Sequence, residues 1–455
     1  MIDQVTKLSP TPFPDCYSAN VSAGRTITVR PARRISGVVR VPGDKSISHR
    51  ALILAALATG RSEIVNLAPG DDCRATLDCL RRLGVGASAS ASPDGGDVLR
   101  WQIDGVGLSG FRPATGGLDA QNSGTTARLL MGVLAASAFR TSISGDASLR
   151  RRPMGRVVEP LALMGARIDT SDGRLPAIVS GSPLHGIDYS APVPSAQVKS
   201  AILLAGLSAS GVTTIREPIA TRDHTERALG TFGVIVESGP GRVAITGGQR
   251  LLAARINVPG DPSSAAFWAA AAAALPGSSI DIRDVGLNPT RIGFLRVLQR
   301  FGAVVSATES PETDAEARGT IRVAHRSLGA VVVEPSEVPG LIDELPALAA
   351  LATHGGRFTV TGAAELRVKE SDRIAALARG LRLMGADVEE APDGFQIDGA
   401  ARLRGGAVDA AGDHRLAMAF AIAALGATGP TTIAGADAVS VSYPGFFDVL
   451  ESMCA

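Results

Sequence analysis

The chain has few cysteines, few aromatic residues and no excess of charge of either sign. Its 455 residues include 4 Cys, which form neither Cys-x-x-Cys pairs nor a disulfide framework, so we expect a reducing, cytoplasmic location and no metal site. Lys and Arg number 45 against 44 Asp and Glu, which gives a net charge of +1. This balance argues against binding to nucleic acids or to membrane surfaces by charge.

Long hydrophobic runs are also absent. The longest run, Ala265 to Leu275, is too short to span a membrane and is rich in Ala, so it predicts a buried helix. Residues 1–24 contain no apolar segment of signal-peptide length and are interpreted as a loose leader. With 45% hydrophobic residues and 52 Gly, the chain is typical of a globular protein of two or three domains.

Two sequence signatures recur with a period of about seventy residues. In the first, an Ala-rich and Leu-rich helix is followed by a short β-branched strand, near residues 60, 140, 211, 277, 356 and 429. In the second, a helix ends in an apolar residue before a Gly that predicts a left-handed cap. These glycines are Gly84, Gly165, Gly233, Gly302 and Gly385. The signatures together predict an α/β fold of about six units, each with alternating strands and helices and one extra strand.

The stretch Val41-Pro-Gly-Asp44 recurs as Val258-Pro-Gly-Asp261, three periods later and again before a helix. We therefore expect the chain to cross between two domains at these turns. Residues 43–258 would form an inserted domain of three units, and residues 1–42 plus 259–455 a discontinuous domain of three units. The two connections would form a double-stranded hinge.

Basic residues are concentrated where helices are predicted to begin. A cation near a helix N-terminus opposes the helix macrodipole, at a cost of a few tenths to about one kcal/mol. Its repetition at that place indicates that the protein binds anions. The residues concerned are Lys45, Arg50, Arg128, Arg150, Arg151, Arg152, Arg156, Lys199, Arg222, Arg227, Lys369, Arg373, His414 and Arg415.

Two stretches strengthen the prediction of an anion site. In Asn122-Ser-Gly-Thr-Thr126, Gly124 would let a ligand approach the backbone, although an ordinary capping turn would look the same. Lys369 and Arg373 are four residues apart, with Glu370 between them, and are interpreted as one face of a helix. A solvated, salt-bridged helix is the alternative for this stretch.

Two adjacent carboxylates are candidates for acid–base chemistry. Asp343 and Glu344 stand between apolar residues, directly before a helix that Pro346 can begin. A carboxylate at such a place is either an N-cap or an acid–base group.

Several longer motifs resemble those of 5-enolpyruvylshikimate-3-phosphate (EPSP) synthase, an enolpyruvyl transferase family. The resemblance extends from about residue 27 to residue 450. The motifs that carry it are Gly43-Asp-Lys-Ser-Ile-Ser-His-Arg50, Gly145-Asp-Ala-Ser-Leu-Arg-Arg-Arg-Pro-Met-Gly155, Ser195-Ala-Gln-Val-Lys-Ser200, Thr221-Arg-Asp-His-Thr-Glu226, Arg367-Val-Lys-Glu-Ser-Asp-Arg373 and Asp413-His-Arg415. The family's fold has two α/β domains, each of three βαβαββ units in an inside-out barrel-like arrangement, which agrees with the repeats above.

The resemblance implies transfer of the enolpyruvyl group of phosphoenolpyruvate to the 5-hydroxyl of shikimate 3-phosphate, with release of phosphate and without a cofactor. This is a step of the shikimate pathway to chorismate and the aromatic amino acids. By similarity, the ligands of shikimate 3-phosphate would be Lys45, Ser46, Arg50, Ser195, Ala196, Gln197, Arg222, Asp343 and Lys369. Those of phosphoenolpyruvate would be Lys45, Gly124, Thr125, Arg152, Gln197, Arg373 and Arg415.

The reaction needs one group that removes the hydroxyl proton and one that gives and retakes a proton at the methylene carbon. Asp343 is our candidate for the hydroxyl proton and Glu370 for the carbon proton, with Lys45 as a second candidate for the acid. Closure of the two domains is expected to exclude water.

The sequence also departs from the family's pattern. Some members carry a Lys near the aromatic-Pro pair where this chain has Val441-Ser-Tyr-Pro444, so one phosphate contact is missing or replaced. Gly124 is the residue type found in glyphosate-sensitive members, and we expect inhibition by glyphosate that is competitive with phosphoenolpyruvate.

Two other functions are alternatives to this one. The related transferase that acts on UDP-N-acetylglucosamine generally uses a loop cysteine, whereas Cys73 and Cys79 lie in a predicted helix. A catalytically silent anion-binding protein would have no use for Asp343, Glu370 and Lys45 together. We expect a monomer that binds small-molecule substrates, without nucleic-acid or membrane partners.

Overall fold

The computed structural model describes residues 24–91, 99–311 and 315–454. The interpreted leader lies outside these residues, except for Gly24. The described chain is mixed α/β. Its α-helices are Lys45–Leu57 (α1), Asp71–Arg82 (α2), Gly124–Leu134 (α3), Ala147–Arg151 (α4), Gly155–Leu163 (α5), Ala196–Gly206 (α6), His224–Thr231 (α7), Pro262–Ala274 (α8), Gly293–Phe301 (α9), Leu345–Ala352 (α10), Arg373–Leu383 (α11), His414–Leu425 (α12) and Phe446–Met453 (α13).

Short 3-10 helices lie at Val338–Gly340, Ala364–Val368 and Ala436–Val441. The strands are Ile27–Val29 (β1), Ser36–Arg40 (β2), Thr59–Val65 (β3), Gly86–Ala91 (β4), Leu99–Val106 (β5), Leu118–Asp119 (β6), Arg140–Ser144 (β7), Arg167–Ser171 (β8), Arg174–Ser180 (β9), Asp188–Ser190 (β10), Val212–Arg216 (β11), Val236–Gly239 (β12), Arg242–Thr246 (β13), Arg255–Asn257 (β14), Ser279–Gly286 (β15), Val304–Glu309 (β16), Arg318–Ala324 (β17), Ala330–Val333 (β18), Arg357–Val360 (β19), Asp387–Ala391 (β20), Gly394–Asp398 (β21), Gly406–Asp409 (β22) and Thr431–Ala434 (β23).

The chain divides into two compact units. The inserted unit contains the described part of Gly43–Val258 and also Ala315 and Glu316. The discontinuous unit contains the other described residues, which are those up to Pro42 and those from Pro259 onward. No helix of the described residues is both long enough and apolar enough to cross a membrane.

Each unit contains three small sheets that share one strand order. In the four-stranded sheets the first two strands are parallel, and the last two pair as an antiparallel hairpin. The strand orders are β14-β3-β5-β4, β6-β7-β9-β8 and β10-β11-β13-β12 in the inserted unit, and β2-β15-β17-β16, β18-β19-β21-β20 and β22-β23-β1 in the discontinuous unit. The second strands, β3, β7, β11, β15, β19 and β23, are the strands that the first signature marked. The predicted sixfold repeat is therefore confirmed.

One sheet of each unit takes its first strand from a distant part of the chain. Strand β2 precedes the first Val-Pro-Gly-Asp turn and pairs with β15 of the discontinuous unit. Strand β14 precedes the second such turn and pairs with β3 of the inserted unit. Because the helix after each turn belongs to the opposite unit from the strand before it, both turns coincide with unit boundaries.

The glycines predicted to cap helices adopt positive φ angles. The values are 93° for Gly84, 97° for Gly165, 81° for Gly233, 105° for Gly302 and 95° for Gly385. A side chain would strain this backbone conformation. The second signature therefore marks the ends of helices and does not arise merely from similar composition.

Three helices form the centre of each unit. They are α1, α3 and α6 in the inserted unit and α8, α10 and α12 in the discontinuous unit. Every residue of α8, α10 and α12 is buried, and many are Ala, whose small side chain lets helices pack closely. The buried helix predicted at Ala265–Leu275 is α8 with one residue beyond its end. A helix buried along its length is accessible to ligands only at its ends.

Candidate active site

The central helices of the inserted unit begin with side-chain caps. Asp44 accepts a hydrogen bond from the backbone N–H of Ile47 at 2.9 Å, and Ser123 and Ser195 cap α3 and α6 in the same way. Only first-turn or second-turn residues of these three helices escape burial. They are Lys45 and Ser46 in α1, Thr125 and Arg128 in α3, and Ala196 and Gln197 in α6. Most of the predicted ligands on these helices thus lie at accessible helix starts.

Lys45 and Arg50 occupy different environments on α1. The Lys45 Nζ lies 2.9 Å from Asp72 Oδ2, and 16% of the Lys45 side chain is exposed. Arg50 is buried and donates from Nε to Thr225 Oγ1 at 2.7 Å, and from Nη1 to the Ser46 carbonyl at 2.8 Å. Burial lowers the pKa of Arg50 to about 10. Arg50 thus orients the first turn of α1, while Lys45 is the accessible cation.

Gln197 links the starts of α3 and α6. Its Nε2 donates to Thr125 Oγ1 at 2.9 Å, and its Oε1 accepts from Arg128 Nη1 at 2.8 Å. Arg152 follows α4 and donates from Nη2 to Asn122 Oδ1 at 2.5 Å. Thr125 and Gln197 therefore form a polar network with Arg128, and Arg152 contacts the turn directly before α3.

Gly124 leaves space for two guanidinium groups. A Cβ atom at this position would lie 2.6 Å from Arg128 Nη1 and 3.4 Å from Arg152 Nη1. The nearer distance is too short for van der Waals contact, so any larger residue would displace Arg128. A residue other than glycine would therefore change the position of the Arg128 guanidinium, which is the end of a flexible side chain.

Lys199 belongs to an internal ion cluster. Its Nζ lies 2.8 Å from Glu217 Oε2 and 2.8 Å from Glu226 Oε1, and only 3% of its side chain is exposed. Of the cations noted in the sequence, this one anchors α6 to its neighbours. Arg222 is half-buried in the loop before α7, and its charge contributes to the lowered pKa of Arg50, after burial and the opposing effects of Glu226 and Asp44.

In the discontinuous unit, Asp343 lies between two buried arginines. Its Oδ1 is 3.5 Å from Arg373 Nη1 and 3.5 Å from Arg415 Nε. Arg415 also donates from Nη1 to the Asp343 carbonyl at 2.8 Å. Asp413 caps α12 and accepts from Arg373 Nε at 2.7 Å. The side chain of Asp343 is 18% exposed, so this carboxylate is accessible beside two cations.

Three carboxylates surround the guanidinium of Arg373. Burial alone would lower its pKa, but the carboxylates of Asp413, Glu370 and Asp343 raise the pKa above its ordinary value. Glu370 accepts a short hydrogen bond from Arg373 Nη2. The guanidinium is therefore always charged, and its position is fixed by several acceptors.

The prediction that residues 366–373 form one helix is wrong. Lys369 follows the 3-10 helix Ala364–Val368 and has an extended backbone, whereas α11 begins at Arg373 with Asp372 as its N-cap. The Asp372 side chain accepts from the Ala375 backbone N–H, so this residue marks the start of α11 and not the middle of a longer helix. Lys369 is half-buried, and burial lowers its pKa against the opposing charges of Asp343 and Glu365.

Two carboxylates that pair with predicted site residues were not predicted from the sequence. Asp72 neutralises Lys45, and nothing in Gly70-Asp-Asp-Cys73 distinguishes it from an acidic first turn of a helix. Asp413 orients Arg373; its place before an apolar helix is the signal that could have found it. Among the described residues, no group of three or more His, Cys, Asp or Glu is arranged to hold a metal ion.

Nearly the whole chain is similar to one known protein family. The family model for EPSP synthase (3-phosphoshikimate 1-carboxyvinyltransferase) matches residues 29–450. The chain is 51% identical to the 3-phosphoshikimate 1-carboxyvinyltransferase of Acidithiobacillus ferrooxidans, over 92% of this chain and 95% of that one. It is 49% identical to the enzyme of the same name from Pelotomaculum thermopropionicum, over 93% and 98% of the two chains.

Solved structures give the same result. EPSP synthase from Acinetobacter baumannii is similar with a TM-score of 0.82 and 40% identity, and the match covers 94% of this chain and 98% of that one. The enolpyruvyl transferase NikO from Streptomyces tendae, at 20% identity and a TM-score of 0.74, shares the fold.

Proposed function

Because the chain belongs to the EPSP synthase family and is a 3-phosphoshikimate 1-carboxyvinyltransferase of the shikimate pathway, we propose how its own residues divide the reaction. The enolpyruvyl group of phosphoenolpyruvate passes to the 5-hydroxyl of shikimate 3-phosphate, and phosphate leaves. The observation that carries the proposal is that accessible polar residues sit at the starts of otherwise buried helices in the inserted unit, while Asp343 lies beside two arginines in the discontinuous unit.

Anion binding is the first task of these residues. Both substrates carry phosphate, and phosphoenolpyruvate adds a carboxylate, so several Arg and Lys are needed to bring them together. We assign shikimate 3-phosphate to Lys45, Ser46, Arg50, Ser195, Ala196, Gln197, Arg222, Asp343 and Lys369. We assign phosphoenolpyruvate to Lys45, Gly124, Thr125, Arg152, Gln197, Arg373 and Arg415.

Arg50 contributes to this binding in part through other residues. Three of its N–H groups already donate to Thr225, Ser200 and the Ser46 carbonyl. Its charge attracts the substrate phosphate, and its hydrogen bond holds the backbone of Ser46 in place. Lys45, which is paired with Asp72, exchanges part of that contact for the substrates when they bind.

Proton transfer is the second task. Asp343 takes the proton of the 5-hydroxyl as the hydroxyl oxygen attacks carbon 2 of phosphoenolpyruvate, and Glu370, protonated before this step, gives a proton to the methylene carbon. The tetrahedral ketal then loses phosphate while Glu370 retakes a proton from the same carbon, and the proton held by Asp343 leaves with the phosphate. Lys45 is the second candidate for the acid. These steps move protons and stabilise charge, so the side chains suffice and no cofactor is assigned.

The positions of the cysteines support specificity for shikimate 3-phosphate over UDP-N-acetylglucosamine. Cys73 and Cys79 both lie in α2 and are buried. Burial raises the pKa of Cys79 to about 12, with a smaller contribution from Asp119, so its thiol is unreactive. No cysteine in the described part of this chain is placed for the role that a loop cysteine would have.

The test is phosphate release by the purified protein. Phosphoenolpyruvate is supplied with shikimate 3-phosphate and, in parallel, with UDP-N-acetylglucosamine. We expect release that depends on shikimate 3-phosphate alone. Release with the nucleotide sugar would overturn the assignment of substrate, and binding without release would support the silent anion-binding alternative.

We further propose that the enzyme works in the cytoplasm as a monomer, without nucleic-acid or membrane partners. The balanced charge and the few cysteines of the chain support this proposal. Sedimentation with and without both substrates would test the monomer.

A further inference from the structure

A cluster of polar side chains is buried beside the start of α8, in the discontinuous unit. It consists of Asp261, Ser263, Arg291 and Glu344, whose exposed fractions are 5%, 2%, 2% and 0%. We call these residues the buried quartet. None of them is among the residues assigned to substrates above.

The quartet is connected by direct contacts. Arg291 donates from Nη2 to Asp261 Oδ1 at 3.1 Å and to Ser263 Oγ at 2.8 Å, and the same nitrogen lies 3.7 Å from Glu344 Oε1. The Ser263 hydroxyl donates to Glu344 Oε1. Asp261 also caps α8 by accepting from the Ser263 backbone N–H at 2.9 Å.

Burying charged groups in this way contributes little to stability. Removing two carboxylates and a guanidinium from water costs free energy that their mutual attraction only partly returns, and apolar residues of the same volume often serve as well. The second oxygen of Glu344, Oε2, is buried and accepts no hydrogen bond within the part of the chain that the structure describes. Such a group calls for an explanation other than stability.

The position of Glu344 directly after Asp343 offers an explanation. Glu344 directly follows Asp343, and its backbone N–H donates to the Leu341 carbonyl at 2.8 Å, which closes a turn over residues 341–344. The Glu344 side chain attaches this turn to the quartet from one side. From the other side, Arg415 donates to the Asp343 carbonyl at 2.8 Å. The backbone of Asp343 is therefore held at two points.

The distances around Asp343 show what this attachment achieves. The Asp343 carboxylate pairs with Arg373 Nη1 and Arg415 Nε at 3.5 Å each, distances longer than the roughly 2.7–2.9 Å of a tight carboxylate–guanidinium pair. Tighter contacts with these two arginines would make the carboxylate a weaker base and would offset more of the positive charge meant for phosphoenolpyruvate.

We propose that Glu344 is a positioning residue, which acts through Ser263 and Arg291 to hold the 341–344 turn so that Asp343 does not collapse onto Arg373 and Arg415. The proposal rests on the role proposed above for Asp343. Glu344 itself touches no substrate; it sets the place from which Asp343 works.

A double-mutant cycle tests the proposal. We expect Glu344→Gln to lower kcat by about tenfold to a hundredfold, because a small displacement of a reacting group has effects of that size. In the Asp343→Asn background, Glu344→Gln should lower kcat by less than about twofold, since the group it positions is already gone. Glu344→Asp, which keeps the charge, should recover part of the lost kcat.

Ser263→Ala and a matched control complete the experiment. Ser263→Ala removes the hydroxyl between Arg291 and Glu344, and should lower kcat by about threefold to tenfold, in a protein that keeps every charge of the quartet. The control is Ser278→Ala, in the same unit: it removes a buried acceptor of the Ile35 N–H at 2.9 Å and should lower the melting temperature without changing kcat.

The outcomes separate the possible failures. Equal losses of kcat from Glu344→Gln in both backgrounds would overturn the proposal, as would an unchanged kcat in Glu344→Gln and Ser263→Ala. If Glu344→Gln does not fold, Ser263→Ala in the two backgrounds decides by the same criterion. The parent protein, assayed beside them, tests the proposed function independently: without release dependent on shikimate 3-phosphate, the proposed function itself fails.

Discussion

The first Val-Pro-Gly-Asp turn leads into α1 and the second into α8, and in both the Asp caps the helix that follows it. Asp44 accepts from the Ile47 N–H at 2.9 Å and Asp261 from the Ser263 N–H at 2.9 Å. The next residue differs. Lys45 is partly exposed and paired with Asp72, whereas Pro262 is buried with the rest of α8. One capping turn thus begins a helix with an accessible first turn in one unit and a completely buried helix in the other.

The difference extends to the arginine near each turn. In the inserted unit Arg50 belongs to the helix itself and holds the backbone of Ser46. In the discontinuous unit Arg291 comes from the segment before α9 and holds the cap residue Asp261. The repeat therefore preserves the cap and the direction of the helix, and leaves the surrounding side chains free to take different functions.

The first prediction, which has the largest expected effect, concerns replacement of the residue that follows each cap. Lys45→Met should lower kcat/KM by about 10²-fold, because the charged partner that we assign to both substrates is lost and each such hydrogen bond contributes about 1.5–3 kcal/mol. Pro262→Ala at the equivalent place should leave kcat/KM within about twofold, since that residue only begins a buried helix. Steady-state kinetics of both variants would measure this, and equal losses would contradict the division of roles.

A second prediction concerns the space at Gly124. Gly124→Ala should raise the KM for phosphoenolpyruvate by about tenfold, the effect of losing roughly 1.4 kcal/mol of binding, because the new methyl group displaces Arg128. An inhibitor that competes with phosphoenolpyruvate, as glyphosate is expected to, should lose affinity as well. Gly230→Ala in α7 is the matched control, because a Cβ atom there meets nothing within 4 Å. A KM changed equally by both substitutions would refute the steric argument.

The third prediction, which has the smallest expected effect, concerns one buried histidine in each unit. Burial lowers the pKa of His49 well below its ordinary value, with further lowering by Lys45 and Arg50. Burial lowers the pKa of His354 to about 4. Both rings are therefore neutral in the folded protein, and the unfolded chain binds protons below the ordinary histidine pKa of about 6.5.

Stability from these groups is present above pH 6.5 or so and is lost as the pH falls toward the folded-state values. For His354 the loss between about pH 6.5 and pH 4 amounts to roughly 3 kcal/mol at most. Denaturant unfolding at several pH values would measure it. His354→Gln and His49→Asn, in which the amide takes the place of the hydrogen-bonded ring nitrogen, should each reduce the slope; an unchanged slope in both would contradict the account.

The periodic features of the fold could be read from the sequence. Six β-branched strands and five capping glycines recur in phase, and the backbone at each glycine adopts the positive φ that the pattern requires. Such features depend on local chemistry that a short stretch carries by itself. The buried helix α8 was predictable for the same reason, because a long run of Ala and aromatic residues has no polar face.

Side-chain partners that come from distant parts of the chain could not be read in this way. Asp72 lies 27 residues after Lys45 and meets it at 2.9 Å, and Ser263 meets Glu344 across a separation of 81 residues. The stretch at 366–373 misled for a different reason: charged residues four apart suit a helix, but the cap at Asp372 begins a new one. Long-range packing decides such places, and a local pattern does not contain it.

We propose that Glu370 gives and retakes the carbon proton and that Asp343 takes the hydroxyl proton. The most direct test is the turnover of Glu370→Gln with both substrates saturating. Arg373 keeps Asp413 as a partner at 2.7 Å, so the variant should fold and bind phosphoenolpyruvate. We predict that kcat falls by about 10²-fold or more, the usual contribution of a general acid–base group. Turnover equal to that of the parent enzyme would contradict the assignment of Glu370.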